Sequence, residues 1–132
     1  MNRPVLLDAS SLAALVFQEE GSALVEGVLG TSYATSVNMA ELVVVLNRQG
    51  IDGASVAADL QAAGLTIVPV AWPHWQSLTA IEVLHKSTGA KRALSLGDLC
   101  CLSYAIEQEM QILTGDRAWA ELDIPVPVSL IR

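Results

Sequence analysis

Apolar positions fall into short blocks divided by turn residues, and the blocks alternate between two periods. Residues 4–7 are an unbroken apolar run ending at Asp8, the pattern of a short strand buried on both faces. From Leu12 the spacing turns helical with Leu15 and Val16, and again with Leu24, Val25, Val28 and Leu29. A turn at 30–32 leads to a second strand at 33–35. Ser36 then caps a helix over 37–49 that is nearly continuously apolar, which predicts burial on most of its sides. A further helix over 54–63 stops at Gly64. Residues 65–70 read as the third strand, with Pro69 near its end. Pro73 opens a helix whose packed face is Trp75, Leu78, Ile81 and Leu84, and 86–97 reads as a loop. Leu99, Leu102 and Ile106 mark a helix from Asp98, 110–115 a buried strand, 117–122 a short helix, and 126–128 a last, edge-like strand.

Strands alternating with helices predict a parallel α/β sheet, in which ligands bind beyond the carboxy ends of the strands. Four acids fall there. Asp8 ends the first strand; it could cap the helix that follows, but Ser10 or Ser11 could do so equally well. Asp98 and Asp116 stand at a helix start and a strand end that one α-to-β connection brings to the same sheet edge. Glu41 shares a helical stripe with Val37, Val44 and Val45. A buried carboxylate there needs a cation, a proton or an arginine. Arg48 is two turns away, beyond the usual i+3 or i+4 pairing, so a metal or its water is the preferred partner. Clustered carboxylates stay ionised only if a cation shares their site. An oxygen-only donor set favours Mg²⁺ or Mn²⁺ over zinc. His74 and His85, eleven residues apart on the expected helix, are separated by about 16 Å along its axis. They cannot hold one ion together and read as surface or edge residues.

At 132 residues the chain reads as one domain, 1–132, long enough for a real core. Apolar residues make up 52% and charged ones only 16%, which fits a sheet covered on both faces and leaves room for an apolar docking surface. No apolar run approaches the roughly 20 residues of a membrane span. Asp8 interrupts the N-terminal apolar run and Glu19 and Glu20 follow it, which argues against a signal sequence and for a cytoplasmic protein. Cys100 and Cys101 are neighbours on a helix; their side chains diverge by about 100° and cannot bond to each other. They suit a reducing compartment. The net charge of −7 argues against non-specific nucleic-acid binding, and two divalent cations would still leave the chain acidic. Any RNA contact must be local: Lys91 and Arg92 in an acid-free stretch before Asp98, and Arg117 directly after Asp116.

The order Asp8, Glu41, Asp98, Asp116, within VLLDASSL, NMAEL, LSLGDLCCLSYA and ILTGDRAWAEL, resembles the PIN-domain ribonucleases, in particular the VapC toxins of bacterial toxin–antitoxin pairs. The resemblance spans essentially the whole chain. It implies a three-layer α/β/α fold with a five-stranded parallel sheet of order 3-2-1-4-5. It also implies that Asp8, Glu41, Asp98 and Asp116 form the Mg²⁺/Mn²⁺ site of an endoribonuclease, supported by Ser10 and Thr114. A homodimer bound by a small antitoxin would follow. Two other classes remain. A phosphohydrolase or phosphoacceptor domain also places an aspartate after its first strand, but haloacid-dehalogenase chemistry wants a second one where Ser10 stands. A receiver domain wants a phosphorylatable aspartate after the third strand, where Val70, Ala71 and Trp72 offer none. In a pure interaction module the acids would only cap helices.

Overall fold

The structure, a computed structural model, describes residues 3–132. Five parallel strands, β1 (Val5–Leu7), β2 (Tyr33–Thr35), β3 (Thr66–Val68), β4 (Gln111–Thr114) and β5 (Val128–Leu130), form one sheet of order β3-β2-β1-β4-β5, the order that the resemblance implies. Leu6 lies opposite both Tyr33 and Ile112, and Ile112 opposite Val128. Because side chains alternate along a strand, this row faces one side of the sheet and the row of Leu7, Ala34 and Leu113 faces the other. The first row packs with Leu99, Leu102, Ile81 and Trp119; the second packs with Leu12, Val25, Met39, Leu42 and Leu46. The helices are thereby sorted into two layers. On one face lie α1 (Ala9–Val16), α2 (Ser22–Val28), α3 (Ser36–Arg48) and α4 (Gly53–Ala62); on the other lie α5 (Leu78–Ser87) and α6 (Leu96–Gln108). Each buried Leu or Ile contributes about 1.5–3 kcal/mol by leaving water. No helix among the described residues is long and apolar enough to cross a membrane.

Several elements depart from the sequence expectation. The helix α3 is not buried on most sides. Its inward stripe is Asn38, Met39, Leu42 and Leu46, spaced as an outer-layer helix requires, and Val44 and Val45 face outward at 43% and 42% exposure. Its cap is Thr35, whose hydroxyl accepts the Asn38 N–H; Ser36 is already in the first turn. The third strand is only Thr66–Val68, so Pro69 lies beyond the ladder, and the last strand is Val128–Leu130, since Val126 turns into the core instead. Pro73 and His74 belong to a separate 3-10 turn, Trp72–Trp75, in which His74 Nδ1 accepts the Ala71 N–H at 2.9 Å. The longer helix begins only at Leu78. The two histidines therefore do not share a helix, and His85 is buried at 8% exposure rather than lying on the surface.

Candidate functional site

Strands β1 and β4 are neighbours at the centre of the sheet, and the chain leaves them toward opposite sides. Such a switch in strand order opens a crevice at the carboxy edge, and Asp8 follows β1 there. Its carboxylate is 4% exposed and surrounded by donors. It accepts the Ser11 N–H at 2.9 Å as the N-cap of α1, the Ser10 hydroxyl at 2.7 Å and the Thr114 hydroxyl at 2.6 Å. Ser10 Oγ in turn accepts the Gly115 N–H at 2.8 Å, and Thr114 Oγ1 accepts the Asp116 N–H at 3.0 Å. One polar net therefore ties the start of α1 to the end of β4, with Ser10 and Thr114 both donating to Asp8 within it. Burial raises the Asp8 carboxyl above its ordinary range, against the lowering effect of the Thr114, Ser11 and Ser10 bonds.

Asp116 lies exposed just beyond β4 and accepts the Ala118 N–H at 3.0 Å, capping a 3-10 turn, Arg117–Glu121. Asp98 is not the first residue of its helix. Ser95 is the N-cap of α6 and Asp98 the third helical residue; Ser95 Oγ accepts the Asp98 N–H at 3.1 Å while Asp98 Oδ2 accepts the Ser95 N–H at 3.0 Å. This capping box was hidden in the motif LSLGD. Glu41 is half-buried and accepts the Asn38 side-chain amide at 2.8 Å. That amide also reaches the Gly97 carbonyl at 3.2 Å, while the Thr35 hydroxyl donates to Asn38 Oδ1 at 2.8 Å. The Glu41 carboxylate lies so close to Gly97 that a Cβ at that position would collide with it. Sequence reasoning passed over Asn38; its one signal was its place three residues before Glu41.

Asp8, Asp98 and Glu41 lie around α6, and their charges all add to burial in raising the Cys101 thiol well above its usual range. Cys100 and Cys101 are both free and buried, so neither is a reactive thiol. Among the described residues no three Asp, Glu, His or Cys side chains surround one point that an ion could occupy. Asp98 and Asp116 each give one oxygen to a capping amide, and Asn38 donates to Glu41. The donor set itself, carboxylates with hydroxyls beside them, suits a hard divalent cation, and each of the two aspartates keeps a second oxygen for it.

A cleft of about 360 Å³ runs from Asp98 and Asp116 to Lys91 and Arg92, walled by His85 and Trp119. Lys91 and Arg92 thus stand beside two of the acids, whereas Arg117 is exposed and does not line the cleft. A cation that sequence reasoning missed is Arg132, whose guanidinium lies over Gly115, 3.0 Å from where a Cβ would begin. It donates to the Glu20 carbonyl at 3.1 Å and pairs with Glu19 at 3.7 Å. Nothing in the sequence brings the end of the chain to that place.

The sequence matches the family described as PIN domain over residues 5–125. No curated protein matches the chain. Among solved structures, the fold is similar to a chain of the DNA-bound VapBC of Salmonella typhimurium, with a TM-score of 0.74 at 12% identity, covering 100% of both chains. It is similar to a chain of a toxin–antitoxin complex from Klebsiella pneumoniae, with a TM-score of 0.75 at 16% identity, covering 97% of this chain and 98% of that one. A chain of VapBC2 from Rickettsia felis bound to a promoter DNA fragment gives 0.70 at 14% identity, with 96% and 97% covered. With residues 5–125 of 132 matched on a sheet of order β3-β2-β1-β4-β5, this chain belongs to the PIN domain family.

Proposed function

We propose that the protein, as a single domain over residues 1–132, is a divalent-metal-dependent endoribonuclease and the toxin of a toxin–antitoxin pair. The observation that carries this is the polar net of Asp8, Ser10 and Thr114 at the strand switch, with Asp98, Asp116 and Glu41 around it, in a chain of the PIN family. Asp8, Asp98 and Asp116, with Glu41, would hold Mg²⁺ or Mn²⁺, which supplies a more acidic water and offsets charge on the phosphodiester. Ser10, Ser11 and Thr114 fix the direction of the Asp8 carboxylate. Asn38 fixes Glu41, which holds the attacking water and takes its proton. The water oxygen bonds to phosphorus as the bond to the 3′ oxygen breaks, and that oxygen takes up a proton from solvent water, leaving a 3′-hydroxyl and a 5′-phosphate. Lys91, Arg92 and Arg117 hold RNA phosphates against an otherwise acidic chain.

The likeness of the fold to chains of VapBC complexes supports an antitoxin partner. The antitoxin would place an Arg or Lys among the carboxylates and so oppose metal and RNA. The exposed Val44 and Val45 on α3, and Trp72 and Leu96, which line one open apolar groove with Trp75 and Leu78, support apolar contacts with a second copy or with that partner. We place the protein in the cytoplasm, where its two unpaired thiols would stay reduced.

One observation favours a second reading, that of a non-catalytic interaction module: Asp8, Asp98 and Asp116 each accept a backbone N–H at a helix start. Calorimetric titration with Mn²⁺ separates the two. Binding that is lost in both Asp8→Asn and Asp98→Asn supports the nuclease. No heat of binding in the folded wild type would leave the acids as caps alone.

A further inference from the structure

Thr114 lies opposite Leu130 in the sheet, and the Ile131 N–H still bonds to the Thr114 carbonyl at 3.0 Å. The residues after β5 therefore stay alongside β4 and set Arg132 beside Gly115, one residue before Asp116. Gly115 has no left-handed φ that would call for glycine. What its missing side chain leaves is space: a Cβ there would lie 3.0 Å from Arg132 Nη2 and 3.3 Å from Ser10 Oγ. The guanidinium thus reaches the polar net that holds Asp8, since Ser10 Oγ donates to Asp8 at 2.7 Å.

The guanidinium is only partly engaged where it stands. The side chain is 29% exposed, and its contacts fall on Nη1, with the Glu20 carbonyl at 3.1 Å and Glu19 at 3.7 Å. An exposed ion pair of that length contributes little. Nη2, the atom beside Gly115, has no hydrogen-bond partner among the described residues. An open guanidinium fork suits a phosphate, which it can grip through two oxygens. Its placement suits one too. Glu19 and Glu20 follow α1, on one face of the sheet, while the cleft of Lys91 and Arg92 lies on the face of α5 and α6. Asp116 stands between them, lining that cleft and directly following Gly115.

We propose that Arg132 is an RNA-phosphate contact of the carboxylate site. It holds a phosphate next to the scissile one, so that the strand crosses the acids from Lys91 and Arg92 on one face to Arg132 on the other. Glu19 is the competing anion that the phosphate displaces. The proposal rests on the ribonuclease reading in taking the occupant to be RNA.

The test uses the full chain carrying Asp98→Asn, with a chelator present so that nothing is cut. Anisotropy of a short labelled oligouridylate is measured at several salt concentrations. Arg132→Gln should weaken binding about fivefold at low salt and flatten the log–log salt slope by about 0.7, the share of one phosphate on a single strand. Glu19→Gln should act in the opposite direction. It should tighten binding about threefold more than Glu20→Gln, the scale of one exposed ion pair, and should have no such effect once Arg132 is Gln. Glu20→Gln is the control because it removes an equal charge next door and keeps the carbonyl that Arg132 meets. If Arg132 were only a clasp between β5 and the end of α1, Arg132→Gln and Glu19→Gln would change affinity alike or not at all. Unchanged affinity and slope in Arg132→Gln, a Glu19→Gln no tighter than Glu20→Gln, or no binding by the parent would overturn the proposal. If Arg132→Gln does not fold, Glu19→Gln against Glu20→Gln decides. Mn²⁺-dependent cleavage by the wild type decides the nuclease reading separately: cleavage together with unaltered RNA affinity in Arg132→Gln leaves that reading standing and removes only the role of Arg132.

Discussion

The carboxylate of Glu41 on α3 rests on the backbone of Gly97 in the first turn of α6, and the Asn38 amide is bonded to both residues. This joins the two helices that carry Glu41 and Asp98 at one point. A side chain at 97 has nowhere to go unless Glu41 moves. Gly97→Ala is expected to fold and to lose about 100-fold in RNA cleavage rate, the scale of a 1 Å misplacement in an active site. Asn38→Ala leaves buried partners unpaired and should also cost about 1–3 kcal/mol of stability in urea unfolding. Full activity in Gly97→Ala would show that the position of Glu41 is immaterial.

Asp8 makes the metal-free protein pH-sensitive in a known direction. Its carboxyl is raised above 3.8 in the folded state, so the folded chain holds that proton more tightly than the unfolded one. Stability from this group is therefore present below pH 3.8 and is lost as the pH rises through the raised value. Asp8→Asn removes the loss: its single oxygen keeps the Ser11 N–H, and its amide NH2 takes the place of the oxygen that accepted the Thr114 hydroxyl, which can turn to accept instead. Its melting temperature without metal should exceed that of the wild type at pH 7, with the gap narrowing toward pH 4. A lower melting temperature at pH 7 would mean that the hydrogen bonds of the ionised form outweigh its burial.

Metal binding should appear as stability. Mn²⁺ is expected to raise the melting temperature of the wild type more than that of Glu41→Gln, because a ligand stabilises by its affinity for the folded state. Equal shifts in scanning calorimetry would put Glu41 outside the ion's surroundings.

The basic residues should separate by position. Lys91 and Arg92 line the cleft with Asp98 and Asp116, while Arg117 lies outside its lining. Lys91→Gln with Arg92→Gln should weaken RNA binding and flatten its salt dependence by about one unit of log–log slope per lost phosphate contact. Arg117→Gln alone should change the slope least. An unchanged slope in the double variant would move the RNA path elsewhere, toward Arg132 beside Gly115.

The strands and their acids were legible because each is written locally: a short apolar run broken by Asp8, or by Gly115 before Asp116. The central sheet face follows from the same runs. What could not be read depends on distant partners or on competition between neighbours. Thr35 and Ser36 are both good caps, and only the turn of the chain after β2 selects Thr35. The valines at 43–45 look like core, yet the sheet lies under Met39, Leu42 and Leu46, so Val44 and Val45 face outward. Ser95 capping Asp98 was readable from its spacing, but Asn38 bonded to Gly97, 59 residues away, was not. His85 lines the cleft through the packing of α5 on α6, a long-range contact that spacing along the chain does not encode.

The most direct test of the central claim is cleavage of a labelled single-stranded RNA by the purified chain in Mn²⁺, beside Asp98→Asn and Asp116→Asn folded to the same extent. The wild type is expected to give fragments with 5′-phosphate ends that vanish on adding a chelator, and both variants to give none. Cleavage that persists in either variant, or that survives the chelator, would contradict the account.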